Sequence, residues 1–115
     1  MTSSGSPYAR FQRALATGNI NVIRAAAAEL PRIGVAEAAA ILLVILRAEP
    51  AQYERAAVRW LGRLCLERTR VDLADLSRAA AALSALPQRP DAARPALAEV
   101  CRRAGQERAA AVFRG

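Results

Sequence analysis

Two stretches of this chain are almost pure alanine, and each runs into a proline. Arg24-Ala-Ala-Ala-Ala-Glu-Leu-Pro31 is echoed by Arg78-Ala-Ala-Ala-Ala-Leu-Ser-Ala-Leu-Pro87. Alanine is the strongest helix former and proline cannot continue a helix, so the pattern specifies short helices rather than strands. The two starts lie 54 residues apart, which divides the chain into two three-helix halves. The expected fold is therefore all-α: a compact domain of six or seven helices, with two HEAT-like units as one arrangement of them.

Local signals place the helices. Ser6-Pro7 supplies a cap and a first-turn proline, and Gly18 a stop. Asn19 or Asn21 caps a second helix expected to reach Leu30. A third follows Gly34 and is apolar on nearly every side through the run Ile41 to Leu46. Such a helix has no polar face to give to water, so it is expected at the centre, with Leu43 buried. The fourth is expected from near Pro50 to about Arg68, with Tyr53, Ala57, Trp60, Leu61 and Leu64 facing inward. Gly62 inside it is read as allowing a close helix crossing.

Asp72 and Asp75 mark the fifth start as a capping box, with Val71 and Leu76 as its staple and Leu76, Ala80, Leu83 and Leu86 as its apolar face. The sixth opens at Pro90 or Asp91 and ends at Gly105, with Pro95 tolerable only close to its first turn. In domain terms, residues 1–6 are expected as a flexible N-terminus and 7–105 as a single helical domain. Residues 106–115 form a tail or a short helix.

The segments Ala14-Leu-Ala-Thr-Gly-Asn-Ile-Asn21, Ala28-Glu-Leu-Pro31 and Tyr53-Glu-Arg-Ala-Ala-Val-Arg-Trp-Leu61 carry a resemblance over residues 9–104. With them the chain resembles small uncharacterised all-helical proteins of actinobacteria. The resemblance implies a similar packing pattern and transfers no catalytic or binding residue.

Chemistry is thinly represented. The chain holds no histidine and no lysine, so it lacks both the neutral-pH proton shuttle and the imidazole ligand. Cys65 has only Arg63 and Arg68 near it in sequence and no base to activate it. Cys65 and Cys101 are both read as buried or partly buried thiols of a cytoplasmic protein. Asp72 and Asp75 are explained by capping, and Glu29 and Glu37 could meet across the Pro31–Gly34 turn without forming a recognisable site. No glycine-rich phosphate loop or dinucleotide motif is present. The expectation is a non-enzyme without cofactor or metal. Met1 to Pro7 lacks the pattern of an export signal, and no apolar run is long enough to span a bilayer, so no membrane partner is expected.

What remains is positive charge: 17 arginines against 10 acids, a net +7 concentrated after residue 50. Arg55, Arg59 and Arg63 fall at four-residue steps along one face of the fourth helix and form the candidate partner- or anion-binding site. Without a partner they would form a solvated face, with Arg63 pairing to Glu67 one turn on. The favoured function is a helical protein-interaction or adaptor module that takes an acidic protein or helical segment, self-association included, through an alanine-lined groove that admits another helix closely or through the arginine face. The alternative is a small basic nucleic-acid-associated accessory protein. The alanine-dominated fifth helix offers few groups to read base edges, and its start turns carboxylates toward a polyanion.

Overall fold

The computed structural model describes residues 5–67 and 70–115. They form seven α-helices: α1 (Pro7–Thr17), α2 (Ile20–Ala27), α3 (Val35–Ala48), α4 (Tyr53–Leu66), α5 (Leu73–Ala85), α6 (Pro90–Arg103) and α7 (Glu107–Arg114). A 3-10 turn, Pro50–Gln52, leads into α4. Among the described residues there is no strand, and no helix is long and apolar enough to cross a membrane. Part of the expected flexible N-terminus, residues 1–4, and the expected extension of α4 to Arg68 lie outside the described residues.

The caps form where local chemistry places them. Ser6 Oγ accepts the Ala9 amide at 3.0 Å, and Gly18 ends α1 in the left-handed region at φ 66°. Asn19 Oδ1 accepts the Asn21 and Val22 amides. Asp72 and Asp75 bond each other's backbone amides, so the shorter aspartate completes the box, its return bond the longer at 3.4 Å. At the end of α6 the Gln106 amide reaches the Cys101 carbonyl around Gly105 at φ 81°, which closes a Schellman turn.

Each helix packs on the next in sequence, the order a two-unit stack would have, but α7 turns back and packs on both α6 and α3. That return joins the C-terminal end of the chain to its central helix. The core runs from Phe11 and Ile23 through Val35, Leu42 and Leu64 to Leu97 and Phe113. Trp60 meets Phe113 edge-on, ring centroids 5.3 Å apart and planes at 84°. Both polar-tipped aromatics of α4 are satisfied across helix boundaries. Trp60 Nε1 donates to the Val35 carbonyl at 3.1 Å, and Tyr53 OH to the Leu83 carbonyl at 2.7 Å. Burial without a stabilising partner for the phenolate pushes the Tyr53 hydroxyl up to about 12.

Several expectations are corrected. Helix α2 stops at Ala27, three residues short of Leu30, and the chain turns through residues 28–30 toward Pro31. Helix α3 is central but not fully covered. Leu42 is buried, whereas Ile41, Leu43 and Leu46 are only partly so, because its neighbours do not surround it. The buried face of α5 is Asp75, Ala79, Ala82 and Leu83, continued by Leu86; Ala80 is exposed. Gly62 faces open space, with nothing within 4 Å of a methyl placed there, so no close crossing explains it. Pro95 lies six positions into α6 and is exposed, so the Asp91 carbonyl it leaves unbonded can be met by water. Cys101 is buried as expected, but Cys65 is exposed on the last turn of α4 beside Leu66, which is 88% exposed.

Candidate functional site

Arg55, Arg59 and Arg63 all stand on the exposed side of α4, since Tyr53, Trp60 and Leu64 hold the opposite side in the core. Four-residue steps advance about 6 Å along the axis, so the three guanidinium groups follow one another up the helix. Among the described residues Arg55 and Arg59 have no ion pair. Arg63 Nη1 donates to the Ile33 carbonyl at 2.6 Å, which anchors it against the loop before α3.

The Arg63–Glu67 pair expected from the spacing does not form. Glu67 leaves the helix with extended backbone at ψ 164°, so the i,i+4 geometry ends before reaching it. Its carboxylate instead accepts from Arg32 at 3.4 Å. Glu29 and Glu37 do not meet either: Glu29 pairs with Arg10 at 2.6 Å, and Glu37 with Arg108.

Beside the arginines lies a groove of about 160 Å³ between α3 and α4. Ala38, Ile41 and Ile45 line one side, with Ala56, Arg59 and Arg63 on the other, and Trp60 and Leu42 in the floor. No carboxylate lines it. The site therefore combines an apolar floor with guanidinium groups at its edge.

A second concavity, about 1050 Å³, opens where α1, α3 and α7 converge. Its chemistry centres on Glu37, a buried carboxylate in the first turn of α3. Glu37 accepts the Gly34 amide at 3.1 Å and the guanidinium of Arg108, which also donates to Tyr8 OH at 3.2 Å and lies over the Tyr8 ring. Burial opposes ionisation of Glu37, but the donors from Arg108 and the backbone outweigh it and hold the group below the usual glutamate range. Sequence reasoning missed this pair because its members are 71 residues apart. The available signal was a carboxylate inside the most apolar helix of the chain, where a partner is obligatory.

Asp75 is the other buried carboxylate. Burial again raises its pKa, but hydrogen bonds from Arg78, Arg103 and the Asp72 amide prevail and bring it to about 2. Arg103 reaches it from α6 at 3.1 Å, so the capping residue also ties α5 to α6. Carboxylates stabilised as anions in this way are weak bases at neutral pH. The Cys101 thiol is pushed up to about 12 by burial and stays protonated. These groups hold helices together, whereas the exposed α4 edge presents arginines without an ion pair among the described residues, beside a partly covered apolar groove.

Fold and site together define a small all-helical domain with an arginine-edged helix–helix groove. Comparison with models of known protein families, with curated proteins and with solved structures finds no match. The three segments behind the actinobacterial resemblance fall at the α1–α2 turn, the turn after α2 and the first half of α4.

Proposed function

We propose that this chain is a non-enzymatic, cytoplasmic interaction module that binds an acidic protein segment through the arginine face of α4. The observation that carries the reading is that Arg59, which has no ion pair among the described residues, and Arg63 border an apolar groove that no carboxylate lines, with Arg55 one turn further along the same face. A guanidinium offers planar, bidentate contacts suited to carboxylates, and its weak hydration favours use at an interface. The adjacent apolar surface favours a protein partner over a phosphate backbone, which would leave it unused.

The test is capture from native extract by the intact protein and by a folded Arg55→Glu/Arg59→Glu/Arg63→Glu variant. A reproducible acidic partner should bind the first and be lost from the second. A partner retained equally by both would reject this face.

The net charge of +7 supports the second reading, a nucleic-acid-associated accessory protein. It requires binding to duplex DNA, single-stranded DNA or structured RNA at low salt, with log affinity falling by about 0.9 per duplex phosphate neutralised for each tenfold rise in salt. No binding to any of the three rejects it.

A further inference from the structure

The groove between α3 and α4 has a regular geometry that specifies its occupant more closely than charge alone. Ala38, Ile41 and Ile45 recur on α3 at three- and four-residue steps, as do Ala56, Arg59 and Arg63 on α4. Each set is one stripe along a helix, of the kind that meets a neighbouring helix. On α3 the stripe is small or aliphatic; on α4 two of its positions hold arginine. From Ala38 to Ile45 the stripe rises about 10 Å, two helical turns. Two neighbouring helices thus offer a shallow trough that no element of the described chain fills.

We propose that the occupant is an acidic amphipathic helix from a partner protein, laid along this trough as a third helix. This rests on the reading of α4 as a partner-binding face. Arg59 and Arg63 are one turn apart, so the partner needs carboxylates one turn apart, at positions i and i+4. The side chain at i+3 lies between them and to one side, where it enters the trough over Ile41 and Ile45. About 160 Å³ is roughly five waters' share of liquid volume, enough for one branched aliphatic side chain. Leucine or isoleucine is therefore the anchor, and its entry displaces water from Ile41, which is only partly covered.

Arg63 is already oriented by the Ile33 carbonyl and retains further N–H groups for a carboxylate. Arg59 is free to close over the partner, and Arg55 extends the positive edge by another turn. This is recognition of a helix in a groove: apolar anchors supply contact, and the edge charges fix register and direction.

The experiment uses two synthetic helical peptides of identical composition and no aromatic residues. One carries Glu at i and i+4 with Leu at i+3 over three turns. The other has the same residues rearranged so that the acids and leucines fall on opposite faces. Trp60 is the only tryptophan in the chain and lines the groove, but it is 2% exposed, so a shift in its emission is a second readout beside the affinities themselves.

The matched peptide should bind at least tenfold more tightly than the rearranged one and shift Trp60 emission. Arg59→Glu/Arg63→Glu should abolish binding, and Ala56→Gln, which fills the trough, should erase the tenfold preference. Equal binding of both peptides with unchanged Trp60 emission, both lost in the arginine variant, would overturn the groove assignment while leaving the α4 arginine face as the binding surface. Binding that survives the arginine changes would overturn both. Because the peptide comparison needs no change to the protein, a failure of Ala56→Gln to fold does not affect it.

Discussion

Replacing Phe113 by alanine tests whether the eight-residue C-terminal helix is part of the cooperative core. Phe113 is fully buried although it stands two residues from the end of the chain, and its ring meets Trp60 edge-on at 5.3 Å. Truncating a buried phenylalanine costs about 3–5 kcal/mol in lost burial and residual cavity, of which the aromatic pair accounts for about 0.5–1.5. At about 2.1 cal/mol/K of unfolding entropy per residue, 115 residues give about 0.24 kcal/mol/K, or about 4 °C per kcal/mol. The melting temperature should therefore fall by about 12–20 °C. Thermal circular dichroism measures it, with Leu66→Ala as the control: Leu66 is 88% exposed, and its loss should shift the midpoint by less than about 2 °C. Trp60 emission should move to the red in the folded Phe113→Ala protein, because the ring that covers it is gone. A shift below about 4 °C with unchanged Trp60 emission would refute the claim that α7 is docked through this contact.

Gly62→Ala should raise stability by about 0.8–1 kcal/mol, since the new methyl meets nothing and the helix loses its least favourable interior residue; a lower melting temperature would count against it. Leu42→Asp should abolish the cooperative transition by burying a charge without a partner, whereas Leu43→Asp, at a partly covered position, should lower the midpoint and keep the transition; equal effects would contradict the placement of α3. An aqueous thiol reagent should label Cys65 rapidly in the folded protein and Cys101 only after denaturation. On acidification, Asp75 has a folded pKa below its ordinary value, so its contribution is present above about 4 and is lost as pH falls toward about 2. Asp75→Asn should remove that part of the acid sensitivity, which acid titration followed by circular dichroism can read.

The helix ends were legible because their causes are local. Ser6, Gly18, Asn19, Asp72 and Gly105 act within a few residues, on backbone amides and carbonyls their own turn leaves unbonded. Which face turns inward was legible on α4, where Tyr53, Trp60 and Leu64 are large and the intervening arginines unambiguous. It was not on α5, whose alanines weigh nearly the same in any direction. There the face is set partly by Asp75, a residue that sequence reasoning assigns to the surface and that Arg103 holds inside from 28 residues away. On α3 apolar residues surround the axis, so periodicity could not say that Ala38 and Ile41 would stay partly uncovered beside α4 while Ile45, on the same stripe, is buried. The arginines were found, and a groove was expected as an alanine-lined one; that it would lie beside the arginines, lined by Ile41, Ile45 and Trp60 as well as alanines, was not.

The distribution of charge links that groove to the rest of the fold. Glu29, Glu37, Glu49, Glu67, Asp75, Glu99 and Glu107 each bind arginine; four of these eight pairs join different helices or a helix to a loop, and three lie within one helix. Arg94 adds a tie from α6 to the end of α7 through the Phe113 and Val112 carbonyls. With seven of the ten acids paired to arginine, the surplus positive charge falls on arginines without an ion pair among the described residues, such as Arg47, Arg55, Arg59 and Arg89. On α4 it stands where the sequence places no acid in reach: Glu54 precedes the stripe, Glu67 has left the helix, and neither lines the groove. Solvation alone would be served by arginines anywhere on the exterior. Arginines beside the trough also put charge next to its apolar side chains, where an aliphatic residue would enlarge the exposed apolar surface. The same residues would supply the counter-charge that the proposed acidic helix requires.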